Sequence, residues 1–291
     1  MVDAGIVSGE EWRTARGPLS LGRPRILGIL NVTPDSFWDR GRHAALDAAL
    51  ARAEAILEEG GDVIDIGGES TRPGAKPVEA AEELERVVPV VREIVRRWPE
   101  AVVSVDTVKA VVARAAVDAG AAIVNDVSGL RLDPDMAGTV ADTGAGIVLM
   151  HSRGEVGTMA SYEMAEYGPD PVGDMVDDLA SALGRAREAG IADDAIVLDP
   201  GLGFSKRTEH SVAALAHLDR FLALGRPVMV GPSRKRFVGE LSGGLPPEER
   251  LEGTLAACVV AHAGGARVFR VHDVRATRRA LDVAEAIRRA P

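Results

Sequence analysis

Eight short apolar, β-branched runs recur along this chain, each followed by a stretch of helical periodicity, and this alternation limits the available folds more than any other feature. The runs lie at 26–32, 63–66, 102–105, 123–124, 147–150, 196–198, 228–230 and 268–271. They are mainly apolar and lack polar alternation, as strands covered on both faces do. Between them, Leu46, Leu50, Ala53 and Leu57 recur at helical spacing, as do Leu84, Val87, Val88, Val91 and Val95. Further helical patterns span 108–119, 134–142, 172–189, 209–224, 248–262 and 275–289. Several end at glycine (Gly60, Gly120, Gly190, Gly225), the usual helix C-terminal cap. The 291 residues match the size of one α/β barrel.

The expected fold is therefore a single-domain (β/α)8 TIM barrel over 23–291. Residues 1–22 form an N-terminal extension, read as a short hairpin covering the barrel floor. A doubly wound parallel sheet remains open, because counting strands does not show closure.

In such a barrel the functional groups sit at the C-terminal strand ends. Here every run ends in polar or ionisable residues: Asn31; Asp65 with 67–74 (GGESTRPG); Asp106; Asn125 and Asp126; His151; Asp199; Lys235; and Arg270 with His272. The Gly231-Pro232-Ser233 turn sends three cations off one strand, Arg234, Lys235 and Arg236. The bland reading of any one of these groups is a satisfied core or surface residue. Eight such ends on one face read as function.

Asp106, Asn125 and Asp199 offer carboxylate and amide edges that fit a planar heterocycle rich in N–H donors. Lys235 can donate to a ring carbonyl or nitrogen. Arg270 can lie on the ring face or hold an anion. Arg270 and His272, beside the basic turn, form an anion-binding half, and Asn31 offers an oxygen to a Mg2+ shared with substrate phosphates.

Composition narrows the partners. Aromatic residues make up 3% and the net charge is −10, so neither a base-stacking platform nor a phosphate-binding stripe is present and nucleic acid is not a partner. The single cysteine, Cys258, lies within an apolar stretch and reads as a small buried hydrophobe. No charged-then-apolar leader and no apolar stretch near 20 residues occur, so the expectation is a soluble cytoplasmic protein without a membrane partner.

At these same residues the chain closely resembles the dihydropteroate synthase family. The matching stretches are 28–37 (GILNVTPDSF), 65–74 (DIGGESTRPG), 104–107 (SVDT), 125–129 (NDVSG), Met150-His151, 198–204 (LDPGLGF) with Lys206, 233–235 (SRK) and 270–274 (RVHDV). The resemblance implies a folate-pathway transferase in which 4-aminobenzoate displaces diphosphate from (7,8-dihydropterin-6-yl)methyl diphosphate. It assigns Asp106, Asn125, Asp199, Lys235, Arg270, Met150, Phe204 and Gly231 to the pterin. Asn31, Arg270 and His272 go to the diphosphate, and Asn31 to Mg2+. Phe37, Thr71, Arg72, Pro73, Ser233 and Arg236 go to aminobenzoate, and Pro34 lies in the same loops. Asp106, Lys235, Arg270 and Asn31 are the implied catalytic residues. The family also implies a homodimer through outer helices, which the apolar Leu255, Val259, Val260, Leu281, Val283 and Ile287 permit, though these residues could equally face the barrel.

One departure stands in the first loop, where the family commonly reads SFSDGG and this chain reads SFWDRG over 36–41. Trp38 and Arg40 bear on loop closure, aminobenzoate affinity and sulfonamide sensitivity. Two other readings compete: a pterin-binding methyltransferase, which needs neither the SRK turn nor the Arg270/His272 pair, and a synthase-like protein that binds pterin without turnover.

Overall fold

The structure is a computed structural model that describes residues 11–33, 42–70 and 77–290. The strands are β1 (Glu11–Thr14), β2 (Gly17–Ser20), β3 (Arg25–Asn31), β4 (Val63–Gly67), β5 (Val102–Asp106), β6 (Ile123–Asp126), β7 (Gly146–Met150), β8 (Ile196–Asp199), β9 (Met229–Val230) and β10 (Val268–Val271). The helices are α1 (Arg42–Glu58), α2 (Ala80–Arg97), α3 (Ala110–Asp118), α4 (Met136–Thr143), α5 (Pro171–Glu188), α6 (Thr208–Ala216), α7 (Leu218–Leu222), α8 (Arg236–Leu241), α9 (Leu251–Ala263) and α10 (Val274–Arg288).

Strands β3 to β10 form one parallel sheet in the order β8-β7-β6-β5-β4-β3-β10-β9. A parallel bridge between Leu198 and Val228 joins its two ends, and the Leu198 amide donates to Pro227 O at 2.9 Å. The sheet is thus a ring, which removes the doubly wound alternative: an open sheet has two edges that never meet.

Antiparallel β1 and β2 form the expected N-terminal hairpin. It carries Trp12 under the barrel, fully buried, with Nε1 donating to Ala195 O at 2.9 Å. A Cβ at Gly146 would lie 3.0 Å from that Nε1 and 2.9 Å from Arg13 O, so the bare glycine makes room for the plug. Trp12 and Leu21 pack on a floor layer of Leu27, Val63, Ile123, Val148, Val197, Met229 and Val268. The larger core lies between the strands and the outer helices, with Ile56, Val87, Val91, Ile94, Leu179 and Phe221 among its buried side chains.

Gly60, Gly120, Gly190 and Gly225 all adopt positive φ at helix ends, as expected of C-terminal caps. Two helical patterns differ from expectation. The stretch 209–224 breaks into α6 and α7, because His217 (φ −123°, ψ 43°) leaves helical backbone. The stretch 248–262 opens with a 3-10 turn, Pro247–Glu249, ahead of α9.

Candidate active site

Side chains on a strand alternate faces, so the residue two beyond each inward floor residue also points into the barrel. Stepping up by two from the floor gives Asp65 on β4, Asn125 on β6, Met150 on β7, Asp199 on β8, Gly231 after β9 and Arg270 on β10. Two further residues up lie Asn31, Asp106, Ser233 and His272. All the sequence-predicted pterin and diphosphate residues except Phe204 and Lys235, which lie in the loops after β8 and β9, therefore occupy adjacent layers at one mouth.

Arg270 sits at the centre. Its Nε donates to Asp65 Oδ2 at 2.6 Å and its Nη2 to Asp106 Oδ2 at 2.6 Å. Asn125 Nδ2 donates to the same Asp65 oxygen at 3.3 Å. Burial opposes the Arg270 charge, but the Asp65 and Asp106 carboxylates overcome it and hold the guanidinium protonated. Burial pushes the Asp106 carboxyl up to about 7, with Arg270 opposing and Asp65 adding to the rise. Asp65 was read only as one polar strand end, yet it organises both Arg270 and Asn125. A carboxylate inside the apolar run 63–66 was the available signal.

Asp65 Oδ1, Asn125 Oδ1 and Ser104 Oγ are buried with no hydrogen-bond partner in the protein. A buried polar atom left unpaired costs roughly 1–3 kcal/mol, so three of them in one layer mark a surface built for a polar ligand. Asp199 accepts from the Gly201 amide at 2.7 Å. Its carboxyl rises to about 6 through burial, against the pull of that amide and of Lys235, Lys206 and Arg270. Lys235 Nζ lies 3.7 Å from the Phe204 ring centroid. Burial and then the nearby Arg270 bring its amine down to about 7, with Asp199 and Asp106 opposing. Met150 and Phe204 belong to an apolar cluster with Val108, Val127, Val156 and Met159, which walls one side.

The three cations of the basic turn do not act together. Arg234 is at φ +58° and pairs with Asp273, Nη2 to Oδ1 at 2.6 Å and Nε to Oδ2 at 3.0 Å. Arg236 turns toward the segment after β7: Nη2 donates to Ala160 O at 3.2 Å and the guanidinium lies 4.3 Å from the Tyr162 ring centroid. Lys235 alone enters the pocket. The carboxylate-attracting role expected of Arg236 thus meets a side chain already stacked on Tyr162.

His272 carries no charge. Burial, then Arg270 and Arg234, drive its pKa down to about 3, so the ring is neutral. Its Nδ1 lies 3.0 Å from Ser233 Oγ, which also accepts from the His272 amide at 3.1 Å. The hydroxyl donates to Nδ1, which leaves the ring proton on Nε2 as a hydrogen-bond donor. Ser233, expected at aminobenzoate, spends its hydroxyl on this histidine. A cavity of about 420 Å3 beside His272 is lined by Arg52, Arg234, Asp273 and Arg275 among others.

A Cβ on Gly67 would sit 3.7 Å from Asn31 Oδ1 and 3.8 Å from Asp106 Oδ2, so both oxygens face the space that this glycine leaves open. Among the described residues no group of three His, Cys, Asp or Glu could hold a metal. Asp106 Oδ2 is engaged by Arg270, so Asn31 Oδ1 is the protein oxygen on offer. That donor set fits a Mg2+ ligated mainly by phosphate oxygens and water. Phe37, Thr71, Arg72 and Pro73, with Pro34, Trp38 and Arg40, lie outside the described residues.

The pterin-binding enzyme family model matches residues 27–272. Dihydropteroate synthase from Synechocystis is 43% identical over 265 residues, covering 91% of this chain and 90% of that protein. The chain belongs to the dihydropteroate synthase family. Two solved structures of the family, both from Xanthomonas albilineans, superpose closely. The enzyme with 4-aminobenzoic acid has a TM-score of 0.90 and 45% identity, covering 98% of this chain and 100% of that one. The complex with 7,8-dihydropteroate has a TM-score of 0.85 and 40% identity, covering 97% and 100%. Membership of the dihydropteroate synthase family accords with the SRK turn and the Arg270/His272 pair, which the methyltransferase reading did not require. No helix among the described residues is long and apolar enough to cross a membrane.

Proposed function

We propose that this chain is a transferase that condenses (7,8-dihydropterin-6-yl)methyl diphosphate with 4-aminobenzoate, releasing diphosphate and 7,8-dihydropteroate. The observation that carries this reading is the convergence of Asp65, Asn125, Asp199 and Arg270 in one layer, with Lys235 entering from the turn beyond β9 and with Asp65 Oδ1 and Asn125 Oδ1 buried and unpaired. An N–H-rich edge satisfies Asn125 Oδ1 and the Asp199 carboxylate. Lys235 donates to a ring acceptor, and Met150 and Phe204 cover the ring faces.

The carbon–oxygen bond to diphosphate breaks first, because the pterin delocalises the resulting methylene cation. Asp106, in its ionised form, favours that cation electrostatically. His272 donates from Nε2 to the departing diphosphate, and Arg270 stabilises its charge. Mg2+ held by Asn31 and the phosphates would neutralise part of the leaving-group charge. The arylamine is neutral at pH 7, so attack on the cation needs no strong base. Phe37, Thr71, Arg72 and Pro73 receive the aminobenzoate, as the family resemblance implies. The protein works in the cytoplasm as a homodimer, for which the exposed Val260, Val283 and Ile287 of α9 and α10 supply apolar surface.

Diphosphate release with Mg2+, measured with and without 4-aminobenzoate, tests the reading. Acceleration by 4-aminobenzoate with formation of dihydropteroate supports it. Pterin binding without release or condensation would favour the non-catalytic alternative instead.

A further inference from the structure

Lys206 is one of the most deeply buried side chains of the protein, 1% exposed, and has no part in the chemistry above. Its Nζ lies 2.6 Å from His151 Nδ1, 2.9 Å from Phe204 O and 3.3 Å from His151 O. Three acceptors surround this one nitrogen, which donates through its N–H bonds. Burial pulls the amine well below the usual lysine range, with Asp199 opposing.

His151 is set from the other side. Its Nε2 lies 3.1 Å from Asp178 Oδ2, and burial, then Lys206, lower its pKa to about 4. A neutral ring between a lysine N–H donor and a carboxylate has one tautomer that satisfies both: Nε2–H donates to Asp178 and Nδ1 accepts from Lys206. Arg153 holds Asp178 in turn, with Nη2 at 2.9 Å. The chain Asp178–His151–Lys206 thus runs from half-exposed surface to the end of β8.

Lys206 acts where the ends of β7 and β8 come together. The His151 amide donates to Asp199 O at 2.8 Å. Gly201, at φ +68°, presses so close that a Cβ would stand 2.0 Å from His151 O. Lys206 bonds that same carbonyl and the Phe204 carbonyl, closing the turn that begins at Asp199. Met150, Asp199 and Phe204, three walls of the pterin pocket, therefore hang on one buried amine.

We propose that Lys206, aligned by His151 and Asp178, is a positioning residue that fixes Asp199 and Phe204 against Met150 and so sets the affinity of the pterin pocket. This inference rests on the pterin-binding reading above. The proposal predicts a selective effect: the pterin site loosens while the aminobenzoate site and the chemical step are spared.

The test measures binding of 6-hydroxymethylpterin by calorimetry and steady-state kinetics for wild type, Lys206→Met and Asp178→Asn. In Lys206→Met, the pterin Kd and the KM for pterin diphosphate should rise at least tenfold, with kcat and the KM for 4-aminobenzoate within twofold of wild type. A folded Lys206→Met protein with a lower Tm but wild-type pterin affinity overturns the proposal, since a purely structural lysine gives that result. If Lys206→Met does not fold, Asp178→Asn decides, because its side chain is half exposed. A roughly threefold weaker pterin Kd supports the chain of three residues, and an unchanged Kd overturns it. Wild type failing to bind the pterin would instead overturn the functional reading and take this inference with it.

Discussion

Arg270 Nε and Asp65 Oδ2 meet at 2.6 Å across the barrel mouth, from strands with only β3 between them. Asp65 also accepts from Asn125, so one carboxylate orients two residues of the pocket. Removing one partner of a buried pair costs about 3–5 kcal/mol. In Asp65→Ala, kcat/KM for pterin diphosphate should fall about 100-fold, or about 3 kcal/mol of transition-state stabilisation. Circular dichroism should show a retained fold.

Asp199→Ala should weaken pterin binding by about 10- to 100-fold, the scale of a charged hydrogen-bonding edge. The KM for 4-aminobenzoate should stay near wild type. Calorimetry with a pterin ligand checks it, and unchanged affinity would remove Asp199 from the pocket.

Arg270→Ala should lower diphosphate affinity and turnover together, with kcat/KM down about 100- to 1000-fold, as when one preorganised donor to a developing anion is lost. A variant with wild-type kcat/KM in a diphosphate-release assay would rule this role out.

The pH dependence of pterin affinity follows from Asp199, which rises to about 6 in the folded protein. The ionised form accepts from the pterin edge, so affinity should increase as pH rises through 6, and Asp199→Asn should flatten that limb. Stability moves the other way. A carboxyl whose folded pKa lies above its unfolded value binds its proton more tightly when folded. Its contribution is full below the unfolded pKa and is lost as pH rises through about 6. Denaturant titrations of wild type and Asp199→Asn across pH 4 to 8 separate the two effects.

The barrel was legible because its strands are apolar on both faces and its helices end in glycine. The gathering of most candidate site residues at one mouth was legible because strand ends are where polar groups have no packing reason to be. Side-chain direction was not. Arg234, Lys235 and Arg236 read as one basic cluster, and only Arg234 at φ +58° separates them. His272 read as a diphosphate contact with no stated charge, and burial beside Arg270 makes it a neutral donor. Asp65 read only as one polar strand end and Lys206 only as part of a matching stretch, because their weight comes from partners far away in sequence: Arg270 for the first, His151 for the second.

Trp12→Ala should cost about 3–5 kcal/mol of folding stability, as large-to-small substitutions at fully buried aromatic positions do. It plugs the floor, on the face opposite the site, so kcat/KM at 25 °C should hold within twofold. Denaturant melts and steady-state kinetics on the same preparation check both halves.

The turn from Ser233 to Arg236 holds three like charges with three separate destinations. The Arg234 amide donates to Thr254 Oγ1 at 3.1 Å, and its carbonyl accepts from Arg250 at 2.9 Å, so its left-handed backbone is clamped on both sides. Residue order here is therefore a set of addresses. Exchanging positions 234 and 235 would preserve net charge and composition yet send a broad, planar guanidinium toward Phe204. It would also leave Asp273 facing an ammonium that cannot make two parallel bonds. Drift that shuffles arginine and lysine freely on a protein surface is closed to this turn, and so is any single-residue insertion or deletion within it.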